Sequence, residues 1–345
     1  MTDLKIIIPM AGIGRRLVPL TTHRPKPLIR LADKRLIDHV LDAFKDLEKI
    51  YSLEYVFIIG YLGDQIKEYM KDAHPDKCIT YYVQNQLMGQ SHAIYLAKQA
   101  ISGPILLTYC DTINKTDFSF IAREKTDRVA SVQEVDDPSR FGVAVVGPDN
   151  LIIKLVEKPK TREHKLALTG IYYFSEGTEL IRAIEAQMGR GSSLNNEYYV
   201  ADAINILVEN GIGIRTERVL QWLDAGTPES IIETNAYLLE QHSQSYNKML
   251  GSQSNVFMHP VYIHESSQVE NSIIGPNVSI GANCRISGSI IRDTIIDDAC
   301  IMTEAMLANS LIGQRCSVHG RSMQSIVADR DEIRVHQTVD DTNRA

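Results

Sequence analysis

The chain has 345 residues, 44% of them apolar and 23% charged, with a net charge of −7. That is too long for one ordinary core and long enough for two domains, and a pI near 5.8 argues against a nucleic-acid binder. No apolar run approaches the ~18 residues of a membrane helix, and no basic stretch followed by an apolar one opens the chain, so a cytoplasmic protein with neither membrane nor nucleic-acid partner is expected. The five cysteines, Cys78, Cys110, Cys284, Cys300 and Cys316, form no C-x-x-C pair and are odd in number. Reduced thiols fit this better than zinc or a disulfide framework.

In chain order, "LKIIIP" is a short β-branched run bounded by Pro9, the pattern of a buried strand. "LIDHVLDAFKDL" places Leu36, Ile37, Val40, Leu41, Phe44 and Leu47 at helical spacing. "YVFIIG" then "LGDQIKEYM", and "ITYYVQ" then "SHAIYLAKQAI" then "PILLTYCD", repeat the strand–helix alternation. Such alternation predicts an α/β fold, a mostly parallel sheet with helices on both faces, whose ligands lie beyond the carboxyl ends of the strands. From Val129 to Phe174 the texture turns strand-rich ("VASVQEV", "FGVAVV", "LIIKLVEKP", "LTGIYYF"), and a long helix is expected near Pro228–Gln244. Residues 246–255 read as a linker. Beyond it, Ile274-Gly275, Ile280-Gly281 and Ile286-Ser287 recur every six residues and Ile312-Gly313 restarts the phrase, the mark of a parallel β-helix. The expected domains are 1–245, 256–335 and a disordered tail, 336–345.

The loop after the first strand, "AGIGRRLVPLTTHRPKPL", gathers glycines, prolines and cations. A dinucleotide fingerprint would need a third glycine where Leu17 stands, and the phosphate-loop pattern is absent. A loop that wraps a triphosphate with backbone N–H groups and cations remains: Gly12 and Gly14 permit close approach, Arg16 and Lys26 bring charge, and Pro25 and Pro27 stiffen Lys26. The alternative is a tight turn carrying surface cations.

The motif G-x-G-x-R-L followed by R-P-K-P resembles the signature of the sugar-1-phosphate nucleotidylyltransferases, in particular the long form of glucose-1-phosphate thymidylyltransferase with a C-terminal left-handed β-helix. The resemblance runs over most of the chain and implies a Rossmann-like nucleotidyltransferase sheet. It implies that Ala11, Gly12, Gly14, Arg15, Gln84 and Gly89 bind the nucleotide and that Arg16, Lys26, Asp111 and Asp224 are catalytic.

Gln84 and Gly89 lie five apart in "VQNQLMGQSHAI". A Gln amide offers a donor and an acceptor to a pyrimidine edge, and in the family this spacing resembles the thymine or uracil reader, with Gln86 a competitor for the role. Asp111 ends the strand "LLTYCD", and Asp224 lies in "QWLDAGTPES". Carboxylates at a sheet's carboxyl edge suit Mg²⁺ with phosphate oxygens, and by resemblance these two hold it. Asp224 could instead cap the helix at Pro228, but Thr227 is better placed. "LVEKPK" is placed two strands after "FGV". Its Glu157 resembles the acceptor of sugar hydroxyls and its Lys158 the holder of the sugar phosphate, with Gly142, Thr169 and Gly170 around the hexose. Glu197 and Asp202 in "NNEYYVAD" resemble a family acidic segment but stay outside the catalytic set. Arg15 replaces a small hydroxyl residue of the family pattern, and Cys110 a glycine.

The expected reaction joins a hexose 1-phosphate, glucose 1-phosphate by family default, to dTTP or UTP with release of pyrophosphate. The expected partners are these small molecules and further copies of the chain, as a homo-oligomer. Two other readings stay open: an inactive regulatory or assembly subunit, and a bifunctional enzyme using an N-acetylated sugar phosphate. His259, His264 and His319 supply no convincing acyl-transfer site, so the β-helix is expected to serve assembly or regulation.

Overall fold

Leu4, Ile6, Ile7 and Ile8 are all fully buried, so strand Thr2–Pro9 must be covered on both faces. It pairs in parallel with Tyr51–Ile59 and with Ile105–Leu107, and Tyr51–Ile59 pairs in parallel with Ile79–Val83. The computed structural model describes residues 2–118, 121, 127–191, 197–246, 254–321 and 326–334. The linker core and the tail expected from the sequence lie outside these residues. The chain divides into two compact units, Met1–Ile13 with Ile37–Leu223, and Gly14–Leu36 with Asp224–Ala345.

In the first unit the sheet is mixed. Beyond Ile105–Leu107 comes Leu166–Phe174, antiparallel to it, then Gly142–Val146 and Ile152–Glu157. Arg128–Glu134 also pairs with Leu166–Phe174 and carries Arg215–Arg218 in parallel. Helices Gln90–Leu96, Gly177–Gly189 and Val200–Glu209 bury Ile94, Leu180, Ile184, Ile204 and Leu207 in one core with the sheet residues Ile7, Ile58 and Leu107. The predicted helix from Leu36 to Leu47 ends at Asp42. Phe44 and Leu47 are still buried, but from a turn and the start of a short 3-10 helix, Leu47–Lys49, so helical spacing there reported burial rather than a continuing α-helix.

The second unit is built on short parallel strands from Val256–Phe257 to Glu332–Arg334 that stack coil on coil. Val256 sits on Ile273, Ile273 on Ile290 and Ile290 on Met306. The buried aliphatic positions run Ile274, Ile280, Ile286, Ile291, Ile296, Met302, Leu307, Ile312, Val318 around successive coils, and every third one stacks: Ile274 on Ile291 on Leu307, Ile280 on Ile296 on Ile312, Ile286 on Met302 on Val318. After Ile286 the spacing mixes fives with sixes instead of holding at six, which is why "ISGSIIRDTIIDDACIM" breaks the repeat in the sequence. Residues with positive φ mark the corners: Asn271, Asn277, Asn283, Asp293, Ala299, Glu304, Asn309 and Arg315. Asparagine tolerates this region through local hydrogen bonding, so the Asn spacing carried a corner signal. Cys284, Cys300 and Cys316 lie buried inside, and each thiol donates to a carbonyl of the following coil, Asp297, Gly313 and Ala328 respectively.

Helix Pro228–Tyr246 belongs to the same unit. Thr227 Oγ1 accepts from the Ser230 backbone N–H at 3.2 Å, so Thr227 is the N-cap, as its position predicts. Asn235 on this helix accepts from the Ala32 N–H (2.9 Å) and the Ser279 hydroxyl (2.6 Å), and donates to the Asn277 carbonyl.

Candidate active site

Three parallel strands of the first unit end side by side, and their next residues form a cradle. Gln84 N–H donates to Ile59 O, and Tyr61 N–H to Ala11 O. A Cβ on Gly60 would lie 2.8 Å from Ala11 Cβ and 2.9 Å from Gln84 O. Gly60 therefore lets Ala11 and Gln84 approach each other, a role that no motif announced. Gly12, just beyond, is exposed, and a Cβ there would meet nothing within 4 Å. The space above it is open for a ligand.

Gln84 is 5% exposed. Its Nε2 donates to Gly89 O at 3.1 Å and to His92 Nδ1 at 3.0 Å. A carbonyl can only accept and an amide nitrogen can only donate, so the amide orientation and an unprotonated His92 Nδ1 are fixed together. Burial holds the His92 imidazole below its ordinary pKa, against an opposing backbone hydrogen bond to Gln86. Both amide hydrogens are thus used, and Oε1 remains as the acceptor. Gln86 is exposed, which favours Gln84 in the competition. Gly89 starts helix Gln90–Leu96 at φ +95°, and a Cβ there would strike the Tyr198 backbone, 2.5 Å from its N. Its glycine is required by packing, with Tyr198 N–H donating to Met88 O and Ser91 N–H to Tyr198 O. His92 escaped the sequence reading because nothing in "QSHAI" shows which way its ring turns.

On the antiparallel side, Glu157 faces Gly142 directly across a hairpin. The two strands are neighbours in sequence and space, which corrects the placement of "LVEKPK" two strands after "FGV". A Cβ on Gly142 would lie 3.0 Å from Glu157 Oε2, so Gly142 makes room for that carboxylate. Burial raises the Glu157 pKa most; Lys158 opposes the rise and Asp202 adds to it. Lys158 Nζ stands 4.0 Å from Glu157 Oε1 and 5.5 Å from the centre of the Tyr199 ring. Its N–H donates to Phe141 O from a backbone at φ +47°. Tyr199 is pushed up to about 12, first by burial, then by Glu197 and, more weakly, Glu157 and Asp202. Burial raises Tyr109 and Tyr172 further, with Glu157 contributing to each. A carboxylate ringed by phenols and one ammonium can accept from hydroxyls while Lys158 meets an anion. The tyrosines and Asp202 were not in the predicted set, although "TGIYYF" and "NNEYYVAD" contain Tyr172, Tyr199 and Asp202.

Thr169 is 1% exposed, and its hydroxyl has no hydrogen-bond partner among the described residues. At Gly170 a Cβ would lie 2.8 Å from the Tyr109 ring, so that glycine accommodates Tyr109 rather than simply opening the backbone to a sugar. Asp111 follows strand Ile105–Leu107 in a turn, where Thr112 N–H donates to Tyr109 O, and its charge adds to the rise of the Tyr109 pKa.

In the second unit, Arg15 and Arg16 are exposed in the turn Arg15–Leu17. A Cβ on Gly226 would lie 2.9 and 3.2 Å from the Asp224 carboxylate oxygens and 3.1 Å from Arg16 Nη2. A side chain at position 226 would therefore crowd both the Asp224 carboxylate and the Arg16 guanidinium. Lys26 is 8% exposed, in the turn Lys26–Leu28, so the surface-cation alternative does not describe it. Arg24, which the phosphate-binding expectation did not include, faces the coils instead. Its Nε faces Asp329 Oδ2 at 3.4 Å and Asp297 Oδ2 at 3.8 Å on the coils, so this charge belongs to the protein's own framework.

A mixed sheet with a buried amide, Gln84, beyond one strand and a half-buried carboxylate, Glu157, on another, in a chain that continues into stacked parallel coils, defines a two-part α/β class of protein. Residues 5–241 match the nucleotidyl transferase family, and residues 257–341 match the GMPPB C-terminal domain. Over 341 residues the chain is 31% identical to the bifunctional protein GlmU of Methanococcus maripaludis, covering 90% of this chain and 78% of that protein. It is 28% identical to a glucose-1-phosphate thymidylyltransferase of Streptomyces antibioticus, covering 91% of this chain and 93% of that one. The crystal structure of a UDP-glucose pyrophosphorylase with UDP-glucose superposes with a TM-score of 0.59 at 20% identity, over 70% of this chain and 100% of that one, which supports the fold. The chain belongs to the sugar-1-phosphate nucleotidyltransferase family.

Proposed function

We propose that the protein transfers a nucleotidyl group from UTP or dTTP to a hexose 1-phosphate, glucose 1-phosphate foremost, and releases pyrophosphate. Gln84 carries the choice of base. With its donors held by Gly89 O and His92 Nδ1, the amide offers Oε1 to the N3–H that uracil and thymine share. Cytosine and adenine present no N–H at the corresponding ring position.

A phosphate oxygen of the sugar phosphate attacks the α-phosphorus, the new P–O bond forms, and the bond to the β-phosphate bridge breaks. The nucleophile is already an anion, so no general base is required. What the chain supplies is position and countercharge. Glu157 accepts from sugar hydroxyls, Lys158 holds the sugar phosphate, and Arg16 and Lys26 meet the triphosphate, with Gly12, Gly14 and Arg15 beside it. Asp111 and Asp224 are hard oxygen donors. Among the described residues no group of three or more His, Cys, Asp or Glu side chains could hold a metal ion. Each of these two carboxylates is the kind of donor that Mg²⁺ takes, sparingly, beside substrate phosphate oxygens. When bound, such an ion would neutralise charge on the reacting phosphates.

Pyrophosphate release over a matrix of UTP, dTTP, CTP, ATP and GTP against glucose 1-phosphate and N-acetylhexosamine 1-phosphates tests this. Activity is expected with UTP or dTTP, and Gln84→Ala should lose it while keeping its thermal midpoint. Equal use of ATP by the parent chain would remove the base assignment. Ligand-induced melting shifts without pyrophosphate would indicate a binding subunit instead.

A further inference from the structure

Three guanidinium groups on the segment Gly14–Leu36 meet three carboxylates on the coils, all within the second unit. Arg35 Nη1 donates to both Asp297 oxygens, at 2.7 and 2.9 Å, and its Nη2 donates to Asp298 Oδ2. Arg30 Nη2 donates to Asp298 Oδ1 at 2.7 Å, and its Nε donates to Asp297 Oδ1 at 3.4 Å. Arg24 faces Asp297 and Asp329. The charges balance, and the side chains of Asp297 and Arg30 are only 6% and 8% exposed. The coils are shaped for this contact. A Cβ at Gly281 would run into the Asp298 carboxylate, and one at Gly313 into that of Asp329. Two glycines of the aliphatic-Gly phrase thus clear space for the acids. The acids are anchored in turn: Asp298 accepts from Ala282 N–H and Gln314 Nε2, and Asp329 from Gln314 N–H.

Such a cluster could be a mere staple, but its connections lead to the turn that carries Lys26. Arg35 Nη1, held by Asp297, also donates to Leu28 O, which ends the turn Lys26–Leu28. Arg24 stands two residues before Lys26. At the other end of the segment, Thr21 Oγ1 donates to Gly14 O, next to Arg15 and Arg16. A guanidinium fork gripping a planar carboxylate fixes direction as well as distance.

We propose that Asp297, Asp298 and Asp329 are positioning residues of the transferase: through Arg24, Arg30 and Arg35 they hold the segment that presents Lys26 and Arg16 to the triphosphate. The coils thereby set triphosphate affinity and turnover without touching substrate. This rests on the phosphate-binding role given above to Lys26 and Arg16.

The test uses the full chain carrying Asp297→Asn or Arg35→Lys, with UTP, dTTP and glucose 1-phosphate varied in turn. Because small misplacements of reacting groups cost up to ~100-fold, kcat/KM for the triphosphate should fall by roughly 10- to 100-fold in Asp297→Asn. The triphosphate KM should rise, while KM for glucose 1-phosphate stays within about twofold, since Glu157 and Lys158 are untouched. A loss of folded protein would lower kcat and leave both KM values alone. Arg35→Lys keeps the charge and decides the matter if Asp297→Asn does not fold. Unchanged triphosphate KM in a folded Arg35→Lys or Asp297→Asn protein overturns the proposal, as does an equal rise in both KM values. Lys26→Ala run alongside separates the two ideas: wild-type turnover there removes the phosphate role of the loop itself, whereas loss there with unchanged Asp297→Asn kinetics removes only the positioning role.

Discussion

The Gln84 pocket and the Arg35–Asp297 cluster are both made of buried polar groups, yet they are completed differently. In the cluster the acids are matched by protein donors on several sides. At Gln84 the two donors are used, and Oε1 accepts from none of the described residues. Glu157 likewise is half-buried, with its pKa raised by burial and one ammonium at 4.0 Å. Burying a polar group without its full set of partners is costly, so incomplete satisfaction in a well-packed pocket points to a group awaiting a ligand. In the cluster the acids' bonds close within the protein, and only Arg24 Nε, ion-paired at 3.4 Å, lacks a hydrogen-bond partner among the described residues.

The comparison breaks most sharply at Lys26, which is buried like the cluster arginines but assigned to the substrate. Lys26→Ala should lower kcat by about 100-fold or more, as for a lost transition-state donor; a steady-state assay showing only a change in thermal midpoint would move Lys26 into the framework. A smaller effect is expected at His92. Without its Nδ1, the Gln84 amide is free to turn, and His92→Ala should reduce preference for UTP or dTTP over CTP by about tenfold, the worth of roughly one hydrogen bond of 1–1.5 kcal/mol. An unchanged preference would show that Gly89 O alone orients the amide. The mildest test is pH. The Glu157 carboxyl titrates above its ordinary range, so its charge is present above that raised value and lost as pH falls through it. KM for the sugar phosphate should therefore climb on mild acidification, at a pH where an ordinary glutamate stays ionised, and Glu157→Gln should flatten that climb. The same sign makes the buried charge a stability cost at neutral pH, so Glu157→Gln should not lower the thermal midpoint.

Much of this was legible in the sequence because it rests on local rules. The β-branched run at Leu4–Ile8, the Thr227 cap and the aliphatic-Gly phrase each follow from backbone preference or periodicity, and the structure carries all three. What the sequence hid is direction. Arg16 and Arg24 are both arginines of one proline-rich loop, and only tertiary structure leaves one exposed and sets the other against Asp297 and Asp329. Gly142, Gly281 and Gly313 look like flexible points but are cut-outs for specific carboxylates. His92 and Tyr109 act through side-chain orientation on neighbouring groups, which spacing along a strand or helix does not encode.

One thiol in each of three successive coils turns the C-terminal stack into its own chemical ruler. Cys284, Cys300 and Cys316 are shielded only while their coils stay closed, whereas Cys78 is exposed from the start. During denaturation, the sequence in which an alkylating reagent finds the three records the end from which the stack frays, without any inserted label.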